Sequence, residues 1–144
     1  MRPIWFKRPD PTYINEQLNI GTIDQHLGII ISEVGDDFIR GTMPADSRTC
    51  QPYGIVHGGA NVVLAESLGS IAGSHVVDHN QYRCVGQDVS ATHLRPVSTG
   101  LVSGTAKPVH LGKRSQVWQI NLLDGLDRLA CSVRLILAII EIKS

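Results

Sequence analysis

Between residues 51 and 70, the run QPYGIVHGGANVVLAESLGS sets a His57-Gly58-Gly59 turn directly before an apolar stretch carrying one carboxylate, Glu66. Backbone N–H groups at the start of a helix lack intrahelical acceptors and attract developing negative charge. A lone Glu inside an apolar helix is costly to bury unless something uses it. Together these residues suggest a site that polarises a carbonyl and attacks it.

Helix geometry adds a condition. Eight residues separate Gly58 from Glu66, or about 12 Å along the axis at about 1.5 Å per residue. A carbonyl held by the Gly58 N–H needs its nucleophile or base within about 3–3.5 Å. A Glu side chain folded over its own helix does not cover that gap. A second copy of the helix, running antiparallel, closes it, so the spacing predicts a dimer with the site at the two-fold interface. In such a site the Gly58 N–H, at the positive end of the helix, stabilises an oxyanion. His57 donates to the same oxygen or holds the substrate, and Gln51 positions the acyl group or a water. Glu66 acts as nucleophile or general base, with Ser70 one turn on as its hydrogen-bonding partner. A covalent anhydride and a base-activated water both remain open. So do two plainer readings: Glu66 pairing with a basic side chain across an interface, and the glycines serving only close approach to a strand.

The elements that must position these groups follow from pattern. Residues 58–77 read as the one long helix, apolar on most faces and therefore buried. Its small residues Gly59, Ala60, Ala65, Gly69, Ala72 and Gly73 suit a helix wrapped by a sheet. Glu66, Ser70 and Ser74 form an i, i+4, i+8 stripe. Before it, residues 12–20 read as a short helix capped by Thr12 and stopped at Gly21. The segments 27–34 and 37–44 read as strands joined at Gly35-Asp36, and 45–56 as a loop. After it come strand-like runs at 83–94, 100–109, 115–124 and 129–142, whose short turns favour antiparallel hairpins. The order predicts an α+β class: one curved antiparallel sheet around a central helix.

With 144 residues the chain fits one domain, 1–144. Hydrophobic content of 42% and charged content of 18% argue against disorder. Thirteen Lys+Arg balance thirteen Asp+Glu, which removes the basic footprint of a nucleic-acid binder and is compatible with self-association. Cys50, Cys84 and Cys131 have no CxxC spacing and cannot all pair, which suggests a reduced, cytoplasmic chain. The N-terminal MRPIWFKRPDP lacks an apolar signal core. Glu66 and Glu141 break the apolar runs. Neither run reaches the roughly 20 residues of a membrane span.

The motif residues resemble the hotdog-fold acyl-CoA thioesterases, in the branch that includes 1,4-dihydroxy-2-naphthoyl-CoA thioesterase and the enterobactin-pathway proofreading thioesterase. MPADSRTCQPYGIVHGGANVVLAESLGSIAG is similar to the core motif of that branch, and VGQDVSATHLRPV and HLGKRSQVWQI are similar to its later signatures. The resemblance implies a hotdog fold, a dimer that pairs into a tetramer, and hydrolysis of an aromatic or medium-chain acyl-CoA, or of an acyl-carrier thioester. No metal or redox cofactor is implied; coenzyme A is part of the substrate. Position by position, Glu66 matches the catalytic carboxylate, Gly58 the oxyanion donor, and Gln51, His57 and Ser70 the supporting polar residues. His93 and Arg95, and His110, Lys113 and Arg114, resemble positions that meet the nucleotide and phosphates of coenzyme A. Arg suits bidentate phosphate contact and Lys acts as a point charge. A solvated hairpin tip is the plainer reading of these basic residues.

A hydratase or dehydratase on the same fold, and a non-catalytic acyl-CoA-binding module, remain as alternatives. His75 and His79 stand at i, i+4 but lack the HExxH glutamate, so a helix end is the better reading than a metal site. Cys50 and Cys84 read as packing residues, Trp5 and Trp118 as core or interface aromatics, and LILAIIEI as a strand buried on both faces.

Overall fold

Helix α3, Gly58–Val76, lies against one face of a curved six-stranded antiparallel sheet. The computed structural model describes residues 2–143. The strands are β1 (Ile30–Val34), β2 (Ile39–Pro44), β3 (Tyr82–His93), β4 (Leu101–Leu111), β5 (Ser115–Leu123) and β6 (Leu129–Glu141), in the spatial order β1-β2-β4-β5-β6-β3. A curved antiparallel sheet wrapped on one long helix is the hotdog fold, and the α+β class is as the pattern predicts.

Period-two burial drives the packing. In β2 and β5 every second residue is buried, so one sheet face meets the helix and the other carries polar side chains. Leu64, Leu68 and Ala72 of α3 pack with Trp118, Ile120, Val133, Leu135 and Leu137, all fully buried. Each fully buried Leu contributes about 1.5–3 kcal/mol relative to exposure.

Several expectations need correction. The 12–20 helix is instead α1, Pro11–Tyr13, followed by one π turn over Ile14–Leu18 that Asn19 closes by donating to the Ile14 carbonyl at 2.9 Å. Its cap is Asp10, whose carboxylate accepts from the Thr12 N–H; Thr12 lies inside the turn. A further helix, α2 at Ile23–Leu27, is not expected from the sequence; its last residue is the first of the expected 27–34 strand, which begins instead at Ile30. Gly28 ends it in the left-handed conformation at φ 73°, the usual glycine role after a helix. The hairpin expectation holds for β1–β2, β4–β5 and β5–β6 but not around β3, which pairs with β6 at the sheet edge. The run LILAIIEI is not buried on both faces. Leu135 and Leu137 face the core, whereas Ile140 is half exposed on a strand whose outer side no layer covers among the described residues.

Helix α3 is likewise not sealed all round. Its buried residues are Ala60, Asn61, Leu64, Ala65, Leu68, Gly69, Ala72 and Gly73, while Val62, Val63, Glu66, Ser67, Ser70 and Ile71 are only half buried. The sheet covers one side and leaves the other open.

Candidate active site

The loop before α3 is pinned into place by its backbone. The Gln51 N–H donates to the Ile55 carbonyl at 2.8 Å, Val56 donates to Val97 at 2.8 Å, and His57 donates to Thr49 at 2.8 Å. Gly54 makes the reversal at φ 80°, where a side chain would be strained. The chain then enters the helix at His57, which caps it: the ring Nδ1 accepts from the Gly59 N–H at 2.8 Å. A neutral imidazole that accepts at Nδ1 carries its proton on Nε2, so His57 presents a donor to solvent.

The fate of the first helical N–H groups decides what this terminus can do. Gly59 donates to the His57 ring, and Ala60 and Asn61 donate to the His57 carbonyl at 2.9 and 3.2 Å. The Gly58 N–H is left without an acceptor among the described residues. Gly58 lines a cleft of about 340 Å³ together with Gln51, Asn61, His93 and Arg95. The His93 ring lies so close that a Cβ on Gly58 would stand 2.9 Å from its Nε2. The other ring nitrogen of His93 faces the Cys131 sulfur at 3.5 Å. Gln51 uses its Oε1 to accept from the Tyr53 N–H at 2.6 Å, leaving the amide Nε2 as its unpartnered end.

Glu66 and Ser70 stand elsewhere on the helix. With Ile23, Val63 and Ser67 they line a second cleft of about 320 Å³ on the open side of α3. The Glu66 carboxylate makes no ion pair and, against expectation, no hydrogen bond with Ser70 among the described residues; the hydroxyl that does find a carboxylate is that of Ser67. Ser67 donates to Asp24 at 2.6 Å, and burial pushes the Asp24 carboxyl up from its usual range against the lowering effect of that hydrogen bond. One helix therefore carries an amide-rich tip and, apart from it, a carboxylate face. They line separate clefts.

The basic positions divide in the same way. His93 and Arg95 join the helix-tip cleft. Lys113 lines a different cleft, of about 450 Å³, with Val76, Val77 and Tyr82 at the far end of α3, and Arg114 is exposed beside it. His110 packs against Gly112 in that same turn. Ser74 lines a further cleft with His79 and Cys84, apart from Glu66 and Ser70. His75 and His79 meet edge to face at 5.3 Å and point ring nitrogens at the backbone carbonyls of Ile71 and Ser74.

Asn61 escaped the reading of the motif. It is buried in the first turn, and its Oδ1 has no partner among the described residues. A polar residue inside an otherwise apolar helix was the available signal.

Residues 53–131 match the Thioesterase superfamily profile. The chain belongs to this superfamily. It is similar to 1,4-dihydroxy-2-naphthoyl-CoA hydrolase of Escherichia coli, 48% identical over 120 residues that cover 83% of this chain and 88% of that one. It is also similar to proofreading thioesterase EntH of Cronobacter sakazakii, 46% identical over 122 residues, covering 85% and 88%. Among solved structures, a glutamine-to-alanine mutant of thioesterase PA1618 from Pseudomonas aeruginosa superposes with a TM-score of 0.94 at 41% identity, covering 96% of this chain and 99% of that one. The protein is thus a thioester hydrolase with a hotdog fold. No helix of this thioesterase, among the described residues, is long and apolar enough to cross a membrane.

Proposed function

We propose that this thioesterase hydrolyses acyl-CoA thioesters with an aromatic or medium-chain acyl group, at sites shared between two antiparallel protomers. One observation carries the reading: the free Gly58 N–H and the unpaired Glu66 carboxylate sit on one rigid helix but in separate clefts. The half-covered face of α3 is where a second α3 packs, and it brings each Glu66 to the partner's helix tip. The long, two-sidedly exposed edge strand β3 offers unpaired backbone groups to the same partner.

In that site the thioester carbonyl oxygen accepts from the Gly58 N–H. Glu66 either takes a proton from water as the water oxygen attacks the carbonyl carbon, or attacks that carbon itself. The resulting oxyanion is held by the Gly58 amide and the helix dipole. Collapse breaks the C–S bond and expels the CoA thiolate, which takes up a proton. On the covalent path, water then cleaves the acyl–Glu66 anhydride. Gln51 and His57 hold the substrate, and Ser70 lines the cleft beside the carboxylate. His93 and Arg95 from one chain, and His110, Lys113 and Arg114 from the other, supply the donors and charge for the nucleotide and phosphates. The antiparallel arrangement turns the far end of one helix toward the tip of its partner. A carrier-protein thioester would present the same phosphopantetheine arm.

The test is thiol release across a panel of aromatic and medium-chain acyl-CoA substrates. Glu66→Gln should lower kcat by about 100-fold or more while substrate binding survives, the scale expected when a positioned base is lost. Wild-type turnover in this variant would remove Glu66 from the chemistry.

A further inference from the structure

We propose that Gly86 is a positioning residue for Glu66: the missing side chain on edge strand β3 leaves the seat in which the carboxylate rests. This inference rests on the reading of Glu66 as the reacting carboxylate. Pairing between β3 and β6 runs one to one from Tyr82↔Glu141 to Gly86↔Leu137, then resumes at Asp88↔Ile136. One extra residue, Gln87, makes a bulge immediately after Gly86. Bulges bend a strand and re-aim what lies beside it.

The backbone does not explain the glycine. Gly86 is not among the positive-φ glycines, which are Gly21, Gly28, Gly54 and Gly100 among the described residues. Its neighbourhood does explain it. A Cβ on Gly86 would stand 2.9 Å from Glu66 Oε1 and 3.7 Å from Glu66 Cδ, with no other contact within 4 Å. An alanine methyl at 86 therefore crowds the carboxylate and no other residue beyond its chain neighbours. The collision is relieved by turning the flexible end of Glu66, so the fold is spared and the geometry of the reacting group is not. Displacements of about 1 Å in a reacting group lower turnover by as much as 100-fold.

The experiment compares wild type, Gly86→Ala, Glu66→Asp and the double variant, with benzoyl-CoA as substrate and thiol release as readout. Gly86→Ala should lower kcat by about 10- to 100-fold with little change in KM and no loss of thermal stability. In the Glu66→Asp background the carboxylate is one methylene shorter and withdraws from the Gly86 backbone, so the same Ala should lower kcat by less than about threefold. A wild-type kcat in Gly86→Ala overturns the proposal. So does an equal loss in both backgrounds, or a loss that tracks a fall in Tm. Failure of the underlying reading looks different: Glu66→Gln would then turn over normally whatever stands at 86.

Discussion

Asp24 is a buried carboxylate whose one side-chain partner, Ser67, lies next to Glu66 in the chain and carries no charge. Burial raises its pKa above the ordinary 3.8, so the folded state holds the proton more tightly than the unfolded one. A raised carboxyl stabilises the fold fully below pH 3.8, and that contribution is lost as pH rises through the folded value. Asp24→Asn keeps an oxygen to accept from Ser67 and has no charge to bury. It should therefore be at least as stable as wild type at pH 7, with the advantage shrinking as pH falls toward 3.8. Urea denaturation at a series of pH values reads this directly, and a gap independent of pH would contradict it. Glu66, Gly58, Gln51, His57 and Ser70 could be singled out in the sequence because their types and spacing follow one helix and its entry. Asp24 and Gly86 could not be, since each owes its role to a neighbour distant in sequence; Asn61 offered only its polarity within an apolar helix, and its missing partner is visible only in the fold.

At the scale of elements, the long helix was legible to within a residue at its end, because nineteen residues of mostly small and apolar side chains leave few alternatives. The edge position of β3 was not. Its alternation resembles that of any strand, and only the assembled sheet shows that its partner is β6 rather than its sequence neighbour β4. The N-terminal segment was legible as helical over 12–20 but not in its division into single turns, and α2 was missed, because one turn carries too little periodicity to fix its own boundaries. Where α3 meets the sheet, small residues set the distance. Gly73 packs against Leu137, and a Cβ there would also come within 2.5 Å of Gln116 Oε1. That oxygen accepts from Trp118 Nε1 at 2.8 Å, and the same amide donates to the Gly73 carbonyl at 3.2 Å. Ala has the better helix propensity by about 0.5–1 kcal/mol. Overpacking typically costs about 1–3 kcal/mol. Gly73→Ala should therefore be destabilised by up to about 2.5 kcal/mol net, seen as a lower denaturation midpoint with a shift in tryptophan fluorescence. An unchanged midpoint would mean that the helix has room to move away from the sheet.

At the scale of the whole molecule, the proposed two-chain site makes a prediction that no single-chain arrangement shares. Glu66→Gln removes the carboxylate half-site. Gly58→Pro removes the other half, since proline has no N–H. Proline suits the first helical position. His57 is already extended, at φ −62° and ψ 133°, as a residue before proline must be. The new ring meets the imidazole of His93, which is exposed and can turn aside. Loss of one oxyanion donor lowers kcat by about 100- to 1,000-fold, so each variant alone should be close to inactive. Co-expressed with different tags and purified through both, they form a heterodimer with one site built from two damaged halves and one from two intact halves. That heterodimer should recover about half the wild-type activity per dimer, because a two-fold interface repeats the site twice. If Glu66 served the helix tip of its own chain, both sites would be damaged and the mixture would stay as inactive as its parents.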